Sequence, residues 1–225
     1  MNRTGTPAGP TEVPVWVTRL NEGVELVYLV LRINLVWMLL SLLGLVALGV
    51  APASVAAADA FRASRHGAKV KALPVMWESY RRQFVTATLR LLPLMIVQLG
   101  SVSMIWIVIG GGASGSVAPL ILAGLAVVSA TWSTVSAAVL VAVPRVRRQD
   151  LLVAWRLALL VPGTVPARFL ALILLLGVWI VVCSFLWPLA FLFGAATMIV
   201  VATALLGRRV ELLLEDLEAR SAATV

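Results

Sequence analysis

A chain of 225 residues that is 61% hydrophobic and 12% charged departs far from the roughly half-apolar, quarter-charged make-up of a soluble domain. Its mean hydropathy of +1.03 leaves too little polar surface to cover a water-soluble core. In a soluble domain the net charge of +8 would suggest nucleic acid, but the placement of the basic residues points to a bilayer, and no nucleic-acid partner is expected.

In chain order, residues 1–14 are Thr/Pro/Gly-rich with one Arg and no apolar stretch, which predicts a disordered lead and no cleavable signal peptide. From Val15 to Arg32 the pattern is helical and mixed. Asn21, Glu25, Tyr28 and Arg32 form a polar stripe beside an apolar one of Leu20, Val24, Val27 and Leu31. This predicts an interfacial helix running into the first span, with Arg32 snorkelling at the outer boundary and a polar network of Glu25, Tyr28 and Arg32. The first apolar stretch covers 29–50. After it, Pro52 and an alanine-rich run up to Ala60 predict a short helix at the inner surface, stopped by His66 and Gly67.

A second amphipathic stretch, 75–84, places Trp77, Tyr80 and Phe84 in a row beside Arg81 and Arg82. Such a row is expected to meet lipid headgroups or dock a partner on the cytoplasmic side. The second span, 89–109, carries Gln98 and Ser101 on one face, and an amide in hydrocarbon calls for a partner on another helix. A Gly-rich hairpin, 110–116, follows; without a Lys-Ser/Thr after it, it is not a phosphate-binding loop. The third span, 117–143, holds Ser129, Ser133 and Ser136 at helical spacing. That face reads as close helix packing, with a polar path as the alternative.

Pro144 ends this span and Arg145, Arg147 and Arg148 make the next turn. Asp150 is placed to cap an apolar helix over 151–161, too short to cross, with Trp155 and Arg156 as further cytoplasmic contacts. Spans over 168–186 and 189–206 form a helical hairpin through a tight turn from Ser184 to Pro188. Trp106, Trp179 and Trp187 fall at one boundary and Trp77 and Trp155 at the other, as aromatic belts do. The end of the chain, 208–225, predicts a cytoplasmic amphipathic helical tail, and residues 15–207 a single five-span domain.

Five apolar stretches near the twenty or so residues needed to cross a bilayer define an all-α polytopic membrane bundle. Fifteen basic residues fall in the connections on one side, against Arg3, Arg19 and Arg32 on the other. The positive-inside bias then predicts the N-terminus outside, the C-terminus inside and the arginine-rich connections in the cytoplasm.

Chemistry-bearing residues are sparse. One His and one Cys cannot build a His/Cys metal site or a Cys–His pair. No carboxylate lies in the middle of a span, where proton and cation pumps place theirs, and there is no P-loop. No catalytic residue, cofactor or metal is expected, and the chain reads as a non-enzyme.

The order of landmarks nevertheless resembles a known family. Arg32-Ile-Asn-Leu-Val-Trp37, the Gly49-Val-Ala-Pro-Ala53 turn, Trp77-Glu-Ser-Tyr-Arg-Arg-Gln-Phe84, Val143-Pro144, Ala154-Trp-Arg-Leu157 and the Pro162 to Pro166 segment are similar to the YesL family of bacterial integral membrane proteins. The family's biochemical activity is unassigned. Its members are often encoded beside ATP-binding-cassette carbohydrate importers, so the resemblance implies a bacterial inner-membrane location and an accessory or permease-like role in sugar uptake, with the bilayer and transporter permease subunits as partners. Two departures set limits. The Glu-Ala-Ala…Gly signature by which permeases dock their ATPase is absent, and polar cavity residues for a sugar are lacking. The alternative function is a self-assembling small-solute transporter or channel lined by Gln98 and the Ser129/Ser133/Ser136 face.

Overall fold

The computed structural model describes residues 15–222 except 47, 66–70, 111–116 and 165. The lead over 1–14, the stop at His66 and Gly67 and most of the Gly-rich hairpin lie outside the described residues. Eight helices and no strand are found among those described: α1 (Val15–Leu43), α2 (Val50–Arg65), α3 (Ala72–Gly110), α4 (Val117–Ala142), α5 (Pro144–Arg148), α6 (Leu151–Thr164), α7 (Pro166–Phe185) and α8 (Trp187–Ala222). Five of them, α1, α3, α4, α7 and α8, are long and apolar enough to cross a membrane. The fold is therefore an all-helical polytopic bundle. Large apolar side chains left exposed on these helices, among them Leu99, Ile109, Leu120 and Leu174, suit a surface turned toward hydrocarbon rather than water.

The first span ends seven residues earlier than the apolar pattern suggests, because α1 stops at Leu43 and the chain reverses through Gly44 to Gly49. Leu45 and Val46 both sit at φ 57°, a left-handed conformation that costs an L-residue about 1–2 kcal/mol. What holds them there is the close meeting of the two flanking glycines. A Cβ on Gly44 would stand 2.3 Å from the Gly49 Cα and 2.7 Å from the Tyr80 hydroxyl oxygen. Leu and Val therefore take the strained backbone because the positions on either side admit no side chain.

That turn feeds α2 into the bundle instead of laying it on the inner surface. Ala53, Val55, Ala56, Ala57, Ala58 and Ala60 are fully buried, and α2 packs against α1, α3, α4 and α8. The small side chains explain the burial: they let four neighbouring helices approach a short one closely. Trp37 of α1 donates its indole N–H to Ser54 Oγ at 3.1 Å. Alanine content alone fits a solvated helix as well as a packed one, so composition left this placement open.

The amphipathic stretch and the second span are a single helix. At 39 residues, α3 is about 58 Å long, nearly twice the roughly 30 Å of hydrocarbon. Its uncharged part, from Leu91 to Gly110, accounts for one crossing, so the half bearing Glu78, Arg81, Arg82 and Arg90 extends beyond it. α8, with 36 residues, likewise outruns the bilayer and carries its helix on through Arg209 to Ala222. α6 runs three residues past its expected end, taking in Pro162 and Gly163 before stopping at Thr164. The Asp150 carbonyl accepts the Ala154 N–H at 2.8 Å, which fits Asp150 as the helix's first flanking residue.

Candidate functional site

Four charged contacts bring the arginine-rich segments to one end of the bundle. Arg62 of α2 donates to the Ala142 carbonyl at the end of α4, 3.1 Å away. Arg90 of α3 donates to the Gln149 carbonyl just after α5 at 2.7 Å. Arg145 of α5 pairs with Glu215 of α8 at 2.9 Å. Arg147 of α5 reaches back to Asp59 of α2 at 2.6 Å. The first two contacts place a guanidinium on a carbonyl that a helix end leaves without an intrahelical partner, where the backbone dipole favours a cation.

Asp59 is the hub. One carboxylate oxygen, Oδ1, accepts from Arg62 and from Arg147. The other accepts from Ser79 Oγ at 2.7 Å and Gln83 Nε2 at 3.0 Å. The donors come from three elements, α2, α3 and α5, so one carboxylate ties them together. Burial alone would raise the Asp59 pKa. The Arg147 charge and hydrogen bond, with help from Ser79 and Arg62, outweigh that and hold the carboxyl below its ordinary value of 3.8. Burial pushes the Arg62 guanidinium below its usual range and the neighbouring Arg147 charge adds to this, with Asp59 opposing both.

Around this hub lies a cleft of about 620 Å³, walled by the C-terminal half of α2, the N-terminal half of α3 and the α4–α5 junction. Five arginines line it (Arg62, Arg82, Arg90, Arg147 and Arg148), against the two carboxylates Asp59 and Glu78. The Arg147 side chain is only 8% exposed. Its Nε–H is buried with no acceptor in the protein. Among the described residues no three His, Cys, Asp or Glu side chains come together to hold a metal.

The residues singled out from the sequence are distributed unevenly. Arg82 lines the cleft. Trp77 and Tyr80 stack with ring centroids 6.1 Å apart, Phe84 meets Tyr80 edge-on at 5.3 Å, and Arg81 lies over the Trp77 ring at 5.9 Å. The row is not a single surface, however. Trp77 is exposed, but Tyr80 is 4% exposed and buried beside Gly44, so Tyr80 is a packing residue and not a docking or lipid contact. Trp155 donates its indole N–H to the Arg90 carbonyl at 3.2 Å, fastening α6 to α3, while Arg156 is exposed.

Within the apolar part, Gln98 and Thr134 meet at 3.0 Å and join α3 to α4. Ser101, Ser133 and Ser136 are buried, and Ser133 returns its hydroxyl to the Ala130 carbonyl of its own helix. Ser129 is exposed although i, i+4, i+7 falls within about 60° of the helix surface; it stands about one turn nearer the start of α4 than Ser133, where burial is sparse. Arg32 lies over the Tyr28 ring at 5.4 Å, but among the described residues no ion pair joins it to Glu25. Asn34, which sequence reasoning passed over, is 1% exposed. Its amide donates to the Phe191 carbonyl at 2.8 Å and accepts the Ala196 N–H at 3.1 Å, stitching α1 to α8.

Sequence pattern also misses the hub, because Asp59, Arg62, Ser79, Gln83, Arg90 and Arg147 are dispersed along the chain and share no periodic signal. One signal was available: Asp59 is the sole charge between Ala51 and Phe61, and a lone carboxylate in an alanine-rich helix needs a partner if that helix packs. No curated protein and no solved structure matches this chain. A family model described as a protein of unknown function, DUF624, matches residues 30–108, a segment that contains Asp59, Arg62, Ser79 and Gln83 but not Arg147, and over which the chain is similar to that family.

Proposed function

We propose that this protein is a non-enzymatic accessory component of a bacterial carbohydrate uptake system, seated in the inner membrane with its charged end in the cytoplasm and engaging its partner there. The observation that carries this reading is the cleft at the charged end, where ionic side chains from several helices converge on accessible volume. The orientation rests on the fifteen basic residues on that side of the chain. The match to DUF624, the family that includes YesL-like membrane proteins, agrees with the family resemblance, and the uptake role is what that resemblance implies.

The transporter alternative draws less support. Gln98 and Thr134 are spent on each other, and Ser133 and Thr134 bond to their own backbone. Such bonds serve helix packing and leave fewer groups to replace a solute's water.

A photo-crosslinking amino acid placed at exposed Trp77, and separately at exposed Trp106 in the other, uncharged half of α3, tests the reading in native membranes. Trp77 is expected to capture a transport-system membrane subunit and Trp106 none, while proteoliposomes of the pure protein move no sugar. Solute movement by the pure protein would overturn the accessory role.

A further inference from the structure

We infer that the cleft at the charged end is a binding site for a phosphate-bearing anion, held by Arg82, Arg90 and Arg148 beside the Asp59–Arg147 pair. The inference stands apart from the accessory role, because it needs neither a transport partner nor a given orientation.

Charge balance is the first argument. Asp59 is already shared between Arg62 and Arg147. That leaves Glu78 as the cleft's other carboxylate against three further guanidiniums. Among the described residues no ion pair engages Arg82 or Arg148, and Arg90 donates to the neutral Gln149 carbonyl with the charge of Asp150 acting on it without an ion pair. Like charges gathered around one volume repel unless a counter-charge occupies it. A phosphate group, with up to two negative charges and oxygens directed to several sides, answers guanidiniums arriving from both α3 and α5. The planar guanidinium fork matches phosphate oxygens two at a time.

A second, independent observation is the buried Arg147 Nε–H. It lacks any acceptor in the protein although it belongs to a charged group that lines the cleft. An N–H in that state is costly, and a small shift of the side chain that opened it to the cleft would let an anion oxygen satisfy it. The volume, about 620 Å³, lies within the roughly 300–1,000 Å³ of small-molecule sites.

Arg90 adds preorganisation and position. Its guanidinium is fixed on Gln149 and its carbonyl receives the Trp155 indole, so α5 and α6 both hold it. It also sits at the edge of the uncharged crossing of α3, where headgroups begin. The same phosphate chemistry could therefore arrive as a lipid headgroup or as a water-soluble phosphoester.

The test uses the full chain in nanodiscs. In one arm the nanodiscs are phosphatidylcholine alone, and inorganic phosphate and pyrophosphate are titrated by calorimetry. In the other the nanodiscs contain phosphatidylglycerol, and retained lipid is counted by native mass spectrometry. Binding in the first arm marks a soluble phosphate source and binding in the second a headgroup; either supports the site. The double variant Arg82→Gln/Arg148→Gln changes two exposed residues and should fold normally; it should weaken binding about tenfold or more. A control with the same charge loss outside the cleft, Arg65→Gln/Arg81→Gln, should change it by less than about threefold. Absence of binding in both arms, or equal loss in the two double variants, would overturn the inference.

Discussion

The charged end and the apolar interior of this bundle are both held by polar contacts, but of different kinds. At the charged end one ionised carboxylate, Asp59, gathers four donors from three elements. In the interior the contacts are neutral and each joins two helices: Gln98 with Thr134, and Asn34 with the α8 backbone. Hydrocarbon sets the difference. An ion at the bilayer centre is expensive, whereas an amide or hydroxyl with one good partner is tolerable. Beyond the crossing, ions become usable, and there the chain concentrates both its charge and a cleft of about 620 Å³. The interior is built to pack, whereas the charged end packs around an accessible cleft.

Breaking the hub should have the largest effect. Asp59→Ala leaves Arg62 and Arg147 facing each other without their carboxylate, and removal of one member of a buried ion pair costs about 3–5 kcal/mol. A large fall in the thermal unfolding temperature of detergent-purified protein is expected; an unchanged value would show that the hub is dispensable. Acid should reach the same contact. The folded-state pKa of Asp59 lies below 3.8, so its stabilisation is complete above that value and is lost as pH falls through the folded pKa. Asp59→Asn should flatten the loss of stability as the pH falls below 3.8. An identical acid profile in the variant would contradict the assignment.

Next in size is the turn that sends α2 inward. Gly44→Ala would press a methyl group onto Gly49 and the Tyr80 hydroxyl and is expected to destabilise by about 1–3 kcal/mol, as overpacking does. The interior contacts should be weaker. Asn34→Leu removes two hydrogen bonds between α1 and α8 and should cost about 1–2 kcal/mol. The Gln98–Thr134 pair, measured as a double-mutant cycle with Gln98→Leu and Thr134→Val, should give a coupling of about 0.6 kcal/mol. If that coupling matched the cost of losing Asp59, the contrast between the two regions would fail.

Much of the architecture was legible in the sequence because it follows from composition along the chain. Five apolar stretches appear as five long helices, and the α7–α8 hairpin turns at Leu186, next to Pro188. The site was not legible for a reason that Asp59 makes concrete. Its partners Ser79, Gln83 and Arg147 lie 20, 24 and 88 residues away, and periodicity reports only neighbours within a few turns. The burial of α2 was hidden likewise, since Ala53 to Ala60 look the same on a surface helix as between four others. Tyr80 shows the converse error. An aromatic row at helical spacing was read as one surface, yet the fold turns its middle member into the core against Gly44.

The charged end is proposed as the working, cytoplasmic face of the bundle. Cys183 is the only cysteine, so a Cys183→Ala background carrying Arg148→Cys places a single thiol at the cleft. Labelling intact cells with a membrane-impermeant maleimide should leave that thiol unmodified until the membrane is permeabilised. Full labelling of intact cells would put the cleft outside and contradict the account.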